Sequence, residues 1–260
     1  MTRFNPRHIQ DAFSRAAPTY QANAELQYDL ARQSVIALQS RLKTPNPVVL
    51  DAGAGTGNIA AHVAALKLDW NLFALDIAQP MCRLAARRHQ HVIRGDITRL
   101  PIAPQSVDAV ISSLALQWID DPARAFEQLA QAARPGGWAV LTTFGPGTLA
   151  ELATAFQSID GNPRVIPFVE PGTLADLAGQ AGWKAVKIDL GTRQTQHQNL
   201  TDLMRSLKAI GATDHRAVRN PGLTTPALFR QAALLYPRNR SDPDQITATW
   251  RSTMLTLQKS

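Results

Sequence analysis

Three aspartates and one glycine-rich turn are the residues of this chain whose types and spacing most clearly suggest chemistry. Asp51-Ala-Gly53-Ala-Gly55-Thr-Gly57-Asn58 follows the short apolar run Val48-Val-Leu50 and leads into a stretch of helical pattern. Glycines at such a junction permit a tight turn and let the backbone approach a ligand at the start of a helix. A dinucleotide site would want G-x-G-x-x-G. Here the third glycine arrives one position early, and Asn58 stands where that motif takes Gly or Ala. Asp51 also argues against a dinucleotide, because a carboxylate at the strand end repels a pyrophosphate. A ligand bearing an ammonium and a sulfonium gains from the same acid. S-adenosylmethionine is such a ligand.

Two further acids fall where that ligand needs them. Asp76 ends the next apolar run, about 20 residues beyond Gly57, the position expected of a carboxylate on ribose hydroxyls. Asp96, in Gly95-Asp96-Ile97-Thr98, follows a third short run and suits an acceptor for an adenine amino group. Taken singly, each acid reads equally well as a helix cap or turn residue. Three acids at three successive strand ends are harder to explain that way.

These residues need a scaffold, and the pattern supplies one. Apolar runs at 48–51, 70–76, 91–95, 107–113 and 138–144 predict strands. Between them, helical pattern runs from the Gly-rich turn to 66, then over 80–90 and 122–133, the last stopped by Arg134-Pro-Gly-Gly137. Such alternation predicts a parallel sheet covered by helices on both faces, a single domain of the α/β class. Residues 5–42 read as two helices broken near Pro18, and 1–44 as an N-terminal helical cap on a core of 46–144. Beyond 145 lies a substrate half: helices at 148–159 and 173–181, a strand at 183–190, and a last strand at 245–257. The intervening segment, about 191–244, reads as a helical insertion, with helices at 200–210 and 226–235.

Composition narrows the partners. Lys and Arg number 27 against 20 Asp and Glu, a formal net charge of +7. That surplus suits an acidic partner, and its dispersal along the chain weakens a nucleic-acid reading. The one cysteine, Cys82, has no metal-ligand neighbours, and the six histidines form no zinc pattern; no metal site is expected. The first ten residues carry Arg3, Arg7 and His8 with no apolar run after them, so a cytoplasmic protein without a membrane segment is expected.

The motifs Asp51 to Gly57, Leu75-Asp76-Ile77, Gly95-Asp96-Ile97, Val107-Asp108 and Arg134-Pro135-Gly136-Gly137 resemble those of class I S-adenosylmethionine-dependent methyltransferases. The resemblance implies a Rossmann-like sheet of seven strands, the last antiparallel. It also implies a cofactor site of Asp51, Gly53, Gly55, Gly57, Asp76, Ile77, Asp96, Ile97, Ser113 and Leu114. Outside that core the chain resembles the malonyl-acyl carrier protein O-methyltransferases of biotin synthesis. The residues are Phe13-Ser-Arg-Ala-Ala17 with Thr19-Tyr20, then Leu26-Gln27, Ser112-Ser-Leu-Ala-Leu-Gln-Trp118, and Met204-Arg-Ser-Leu-Lys208 with Ile210-Gly-Ala212. This narrower resemblance implies a malonyl thioester on acyl carrier protein as substrate, with Tyr20, Gln117, Trp118, Arg205 and Lys208 around it. Tyr20 and Arg205 are the expected positioning groups, Arg205 facing inward onto the substrate carboxylate. Tyr20 as a packed aromatic and Arg205 as a surface ion-pair residue are the plain alternatives. A monomer is expected, with no nucleic-acid or membrane partner. A methyltransferase of a free small molecule, an RNA methyltransferase and a non-catalytic binding module stay open on the residues alone.

Overall fold

The structure is a computed structural model that describes residues 5–212, 224–239, 242 and 244–260. Arg3 and the 213–223 part of the expected insertion lie outside these residues. The chain opens with α1 (Pro6–Asn23) and α2 (Glu25–Gln39). Then come β1 (Val48–Ala52), α3 (Asn58–Ala65), β2 (Asn71–Asp76), α4 (Gln79–Ala85), β3 (His91–Arg94) and β4 (Val107–Ser113). A 3₁₀ turn, Leu116–Trp118, precedes α5 (Pro122–Ala132) and β5 (Ala133–Phe144). The second half runs α6 (Ala150–Asp160), α7 (Pro171–Gln180), β6 (Trp183–His197), α8 (Leu200–Ala209), α9 (Pro226–Leu235) and β7 (Ile246–Lys259).

Among the described residues the strands form one seven-stranded sheet of order β3-β2-β1-β4-β5-β7-β6. The neighbours from β3 to β5 pair in parallel, and β7 runs antiparallel to both β5 and β6. Alternate residues of each strand feed opposite faces. Leu50, Val110 and Leu141 pack with Phe126 of α5 and Leu174 of α7. Their sequence neighbours Val49, Ile111 and Val140 pack with Val35 and Leu38 of α2 and Ile59 of α3. A further apolar cluster joins α6, α8 and α9 to the start of β7 through Phe156, Leu203, Ala232 and Trp250. No helix among the described residues is long and apolar enough to cross a membrane.

Four boundaries differ from the expectations. The break in the N-terminal helices falls at Ala24, not at Pro18, which lies inside α1. Pro18 costs α1 one backbone hydrogen bond, and tertiary contacts on both sides hold the helix. Ala16 and Ala17 are buried, and the Thr19 hydroxyl donates to the Ala209 carbonyl at 3.0 Å. Helix α4 stops at Ala85, so 86–90 is a turn. Arg134 to Gly137 does end α5, but as a bulge inside β5: Val107 pairs with Ala133 and Ala109 with Trp138. Strand β6 runs on to His197, each residue from Leu190 onward pairing with β7. The insertion therefore begins at 198, not 191. The polar residues of this sheet edge carry no hydrophobic alternation to announce a strand.

Candidate active site

Strands β2 and β4 flank β1 on opposite sides, so the chain leaves β1 and β4 in different directions at their C-terminal ends. Open α/β sheets bind ligands at such a crevice. The Gly-rich turn sits there. The Gly53 and Ala54 amides donate to the Leu75 carbonyl at 2.8 and 3.0 Å, tying the turn to β2. Gly53 has φ +85°, and a Cβ on it would lie 2.5 Å from the Ala115 Cβ. Gly53→Ala should therefore strain the turn by about 1–3 kcal/mol and push Ala115 into the cavity below. A lower melting temperature together with severalfold weaker cofactor binding is the expected result. An unchanged pair of values would remove the close-approach argument.

The three aspartates converge on this turn in different ways. Asp76 accepts from the Gly55 amide at 2.9 Å and the Ala78 amide at 2.8 Å, one bond to each carboxylate oxygen. Burial raises its pKa while these backbone donors oppose the rise. Asp51 is buried, and its Oδ2 has no hydrogen-bond partner among the described residues. Burial, and then the Asp76 charge, push its pKa well above the ordinary carboxylate range. Asp96 takes the Thr98 amide and hydroxyl, each at 2.8 Å, both on Oδ1; it is an Asx-turn residue as well as a cavity residue.

A cavity of about 570 Å³ opens over these groups. Gly53, Gly55, Asp76, Ile77, Asp96, Ile97, Ser113 and Leu114 line it. Asp51 lines a small adjoining recess with Gly55, Ser113 and Tyr20. Gly57 lines neither cavity nor recess; at φ +86° it caps α3 and closes the turn through its amide to the Ala54 carbonyl. The Ser113 hydroxyl, like Asp51 Oδ2, is buried without a hydrogen-bond partner among the described residues. The Asp51 carboxylate and the Ser113 hydroxyl, together in one recess, fit the ammonium of S-adenosylmethionine. Asp76 and Asp96 are acceptors suited to its hydroxyls and adenine amine.

A second cavity of about 690 Å³ adjoins the first. Phe13, Tyr20, Leu114 and Trp118 line both. Trp118 meets Phe13 edge-on, with ring centroids 5.8 Å apart. Leu114 reaches the junction in the left-handed region, φ +60°. Tyr20 is pushed to a higher pKa by burial and by the Asp76 charge, so its phenol stays neutral and able to donate. Gln117 lines the second cavity with both ends engaged: Nε2 donates to the Leu114 carbonyl at 2.8 Å and Oε1 accepts from Thr143 at 3.0 Å. It is a wall, fixed by the strand ends.

Arg205 is not among the residues lining the cavity. Its side chain is 73 % exposed and stands 3.6 Å from Asp202. The cause is helical phase. Helix α8 buries Leu203 and Leu207, and a residue two positions from each points to the opposite side. Met204, Leu207 and Lys208 line the cavity instead. Arg164, which sequence reasoning missed, also lines it, with a side chain 12 % exposed, ion-paired to Asp160 at 2.5 Å and lying over the Phe156 ring. It sits in the connection after α6, where no periodicity or motif singles out a side chain.

A family model described as a methyltransferase domain matches residues 50–141. The chain is 36 % identical to the malonyl-acyl carrier protein O-methyltransferase of Xylella fastidiosa (strain M23), over 95 % of this chain and 85 % of that protein. It is 34 % identical to the biotin biosynthesis bifunctional protein BioHC of Cellvibrio japonicus, over 99 % of this chain and 51 % of that longer protein. Among solved structures, the YcgJ protein from Bacillus subtilis superposes with a TM-score of 0.60 at 13 % identity, over 87 % of this chain and 98 % of that one.

Proposed function

The chain belongs to the malonyl-acyl carrier protein O-methyltransferase family, and from that membership we propose how its two joined cavities methylate the free carboxylate of a malonyl thioester. The observation that carries the reading is the junction. One cavity is lined by acids suited to S-adenosylmethionine, the other is open to a substrate, and four residues are common to both. S-adenosylmethionine supplies a methyl on a sulfonium; the new oxygen–carbon bond forms as the carbon–sulfur bond breaks, and no proton is transferred. The resulting malonyl methyl ester primes biotin synthesis.

The chain's own residues have correspondingly little bond chemistry to do. The nucleophile is a carboxylate, already ionised at neutral pH, so no general base is needed. Asp51, Asp76 and Asp96 hold and orient the cofactor. Phe13, Leu114 and Trp118 exclude water at the junction. Tyr20 donates to the entering carboxylate and fixes its approach, a contribution of alignment rather than of proton transfer. Desolvation of the carboxylate by the apolar wall adds to it.

The partner is acyl carrier protein, an acidic protein met here by a basic chain. Arg15 and Lys208 are exposed and line the second cavity. With Arg205, one turn away on α8, they form the cationic rim that receives the carrier. Such steering acts on the association rate and weakens with salt. The KM for carrier-borne substrate should therefore rise with ionic strength, while cofactor affinity changes less. Equal insensitivity of both would remove the electrostatic role. Arg205→Ala should raise that KM severalfold and leave kcat near the wild-type value. A loss of kcat of a hundredfold with KM unchanged would instead return Arg205 to the substrate carboxylate.

The test of the function itself is one assay. The protein is incubated with S-adenosylmethionine and, separately, malonyl carrier protein, free malonate and RNA, and the products are weighed by mass spectrometry. One added methyl on the malonyl carrier protein alone is the expected result. Transfer to malonate or RNA in its absence would overturn the substrate.

A further inference from the structure

Against the Gly-rich turn, and lining neither the cofactor cavity nor its recess, lies a group that the mechanism above does not use. His89 follows α4, and its side chain is 0 % exposed. Its Nε2 stands 3.6 Å from Asp51 Oδ2, and the Asp51 side chain is itself 1 % exposed. Among the described residues, no hydrogen bond of good geometry reaches either ring nitrogen of His89 or Asp51 Oδ2. Two buried polar groups of matching chemistry thus face each other just beyond bonding distance. Leaving both unsatisfied is costly, and closing the gap takes a shift of roughly half an ångström. The segment is built into the turn. Arg88 donates to the Thr56 carbonyl at 2.8 Å, and a Cβ on Gly57 would meet the His89 ring at 3.4 Å.

Burial lowers the His89 pKa to about 4, so the ring is neutral at pH 7 and carries one N–H. Its other polar neighbour is the main chain of Leu72. An ionised carboxylate is a stronger acceptor than a carbonyl, so ionised Asp51 draws the proton to Nε2. We propose that His89 is a positioning residue for Asp51: its Nε2–H holds Oδ2 of the ionised carboxylate and leaves the other oxygen for the cofactor ammonium. Burial and the Asp76 charge disfavour that ionised form; a buried donor and a bound ammonium together favour it. The proposal rests on the reading that Asp51 meets the amino-acid end of the cofactor.

Two ligands separate this role from mere packing. S-adenosylhomocysteine carries the ammonium; 5′-methylthioadenosine is the same nucleoside without the amino-acid end. Calorimetry on the full chain should show His89→Leu binding S-adenosylhomocysteine about tenfold more weakly, as loss of a hydrogen bond to a charged group requires. Its affinity for methylthioadenosine should stay within about twofold of the wild type, below the effect of one such bond. His89→Gln, which returns a donor at similar reach, should recover most of the loss. In an Asp51→Asn background, His89→Leu should cost little more, because the two groups act as a unit. Should His89→Leu fail to fold, His89→Asn, whose amide falls short of Asp51, should show the same selective loss. Equal weakening of both ligands, an undiminished S-adenosylhomocysteine affinity, or the full loss persisting without Asp51 would each overturn the proposal. A wild-type chain that shows no preference for S-adenosylhomocysteine over methylthioadenosine would overturn the Asp51 assignment itself, and a wild-type preference that no His89 variant changes would overturn only the role of His89.

Discussion

Asp76→Ala is expected to weaken S-adenosylmethionine binding by tenfold or more. The ribose offers two hydroxyls, and each charge-assisted bond to a carboxylate is worth roughly 1.5–3 kcal/mol. Asp76 has a second task, which adds to the loss. Its oxygens accept from the Gly55 and Ala78 amides, so the same carboxylate fixes the Gly-rich turn against the start of α4. Alanine removes the acceptor for the ligand and the anchor for the turn together. Asp76→Asn separates the two. One amide oxygen still serves one backbone donor, while the amide nitrogen faces the other donor and the charge is gone. Asn should therefore bind more weakly than wild type and melt closer to it than Ala does. Calorimetry with S-adenosylmethionine and a thermal melt of each free variant measure both. Unchanged affinity in Asp76→Ala would remove Asp76 from the cofactor site.

The parts of this site that were legible in the sequence share one property: local backbone geometry demands them. Gly53 must be glycine because of a positive φ and a 2.5 Å contact, and Asp76 ends a strand beside it. Such constraints act over a few residues, so spacing reveals them. The sheet was legible for the same reason as far as β5, its inner strands being apolar on both faces. The substrate half was less so. β6 is an exposed edge whose polar residues hide their pairing. Arg205 and Lys208 belong to one motif on one helix, and only the phase set by Leu203 and Leu207 decides that Lys208 lines the cavity while Arg205 faces solvent. That phase depends on what α8 packs against, a long-range fact. Arg164 and His89 lie in connections, where tertiary placement alone gives a side chain its neighbours. Arg164 lines the second cavity from a connection between two helices. His89 owes its proximity to Asp51 to the pairing of β1 with β2, which brings a turn 38 residues further along the chain under the first one.

Tyr20→Phe is the sharper test of the junction. Tyr20 lines both cavities and the Asp51 recess, and it packs against the buried cluster of Ala17, Ala78 and Met81. Phenylalanine preserves that packing and deletes only the hydroxyl, so the melting temperature should barely move. The hydroxyl is a neutral donor across the working range, since burial and the Asp76 charge raise its pKa above the ordinary value of 10.0. A donor of this kind cannot act as a base at neutral pH, and the wild-type rate should show no alkaline change from Tyr20 below its ordinary pKa. The contribution proposed for it is to hold one carboxylate oxygen so that the other faces the methyl. A hydrogen bond to a charged group is worth roughly 1.5–3 kcal/mol, and each 1.36 kcal/mol is a factor of ten in rate. The kcat for malonyl carrier protein should therefore fall by about ten- to a hundredfold, with S-adenosylhomocysteine affinity within about twofold of the wild type. A loss confined to cofactor affinity would move the hydroxyl to the cofactor side of the junction. A variant that turns over at the wild-type rate would make Tyr20 a packed aromatic and leave the approach of the carboxylate to the apolar wall of Phe13, Leu114 and Trp118.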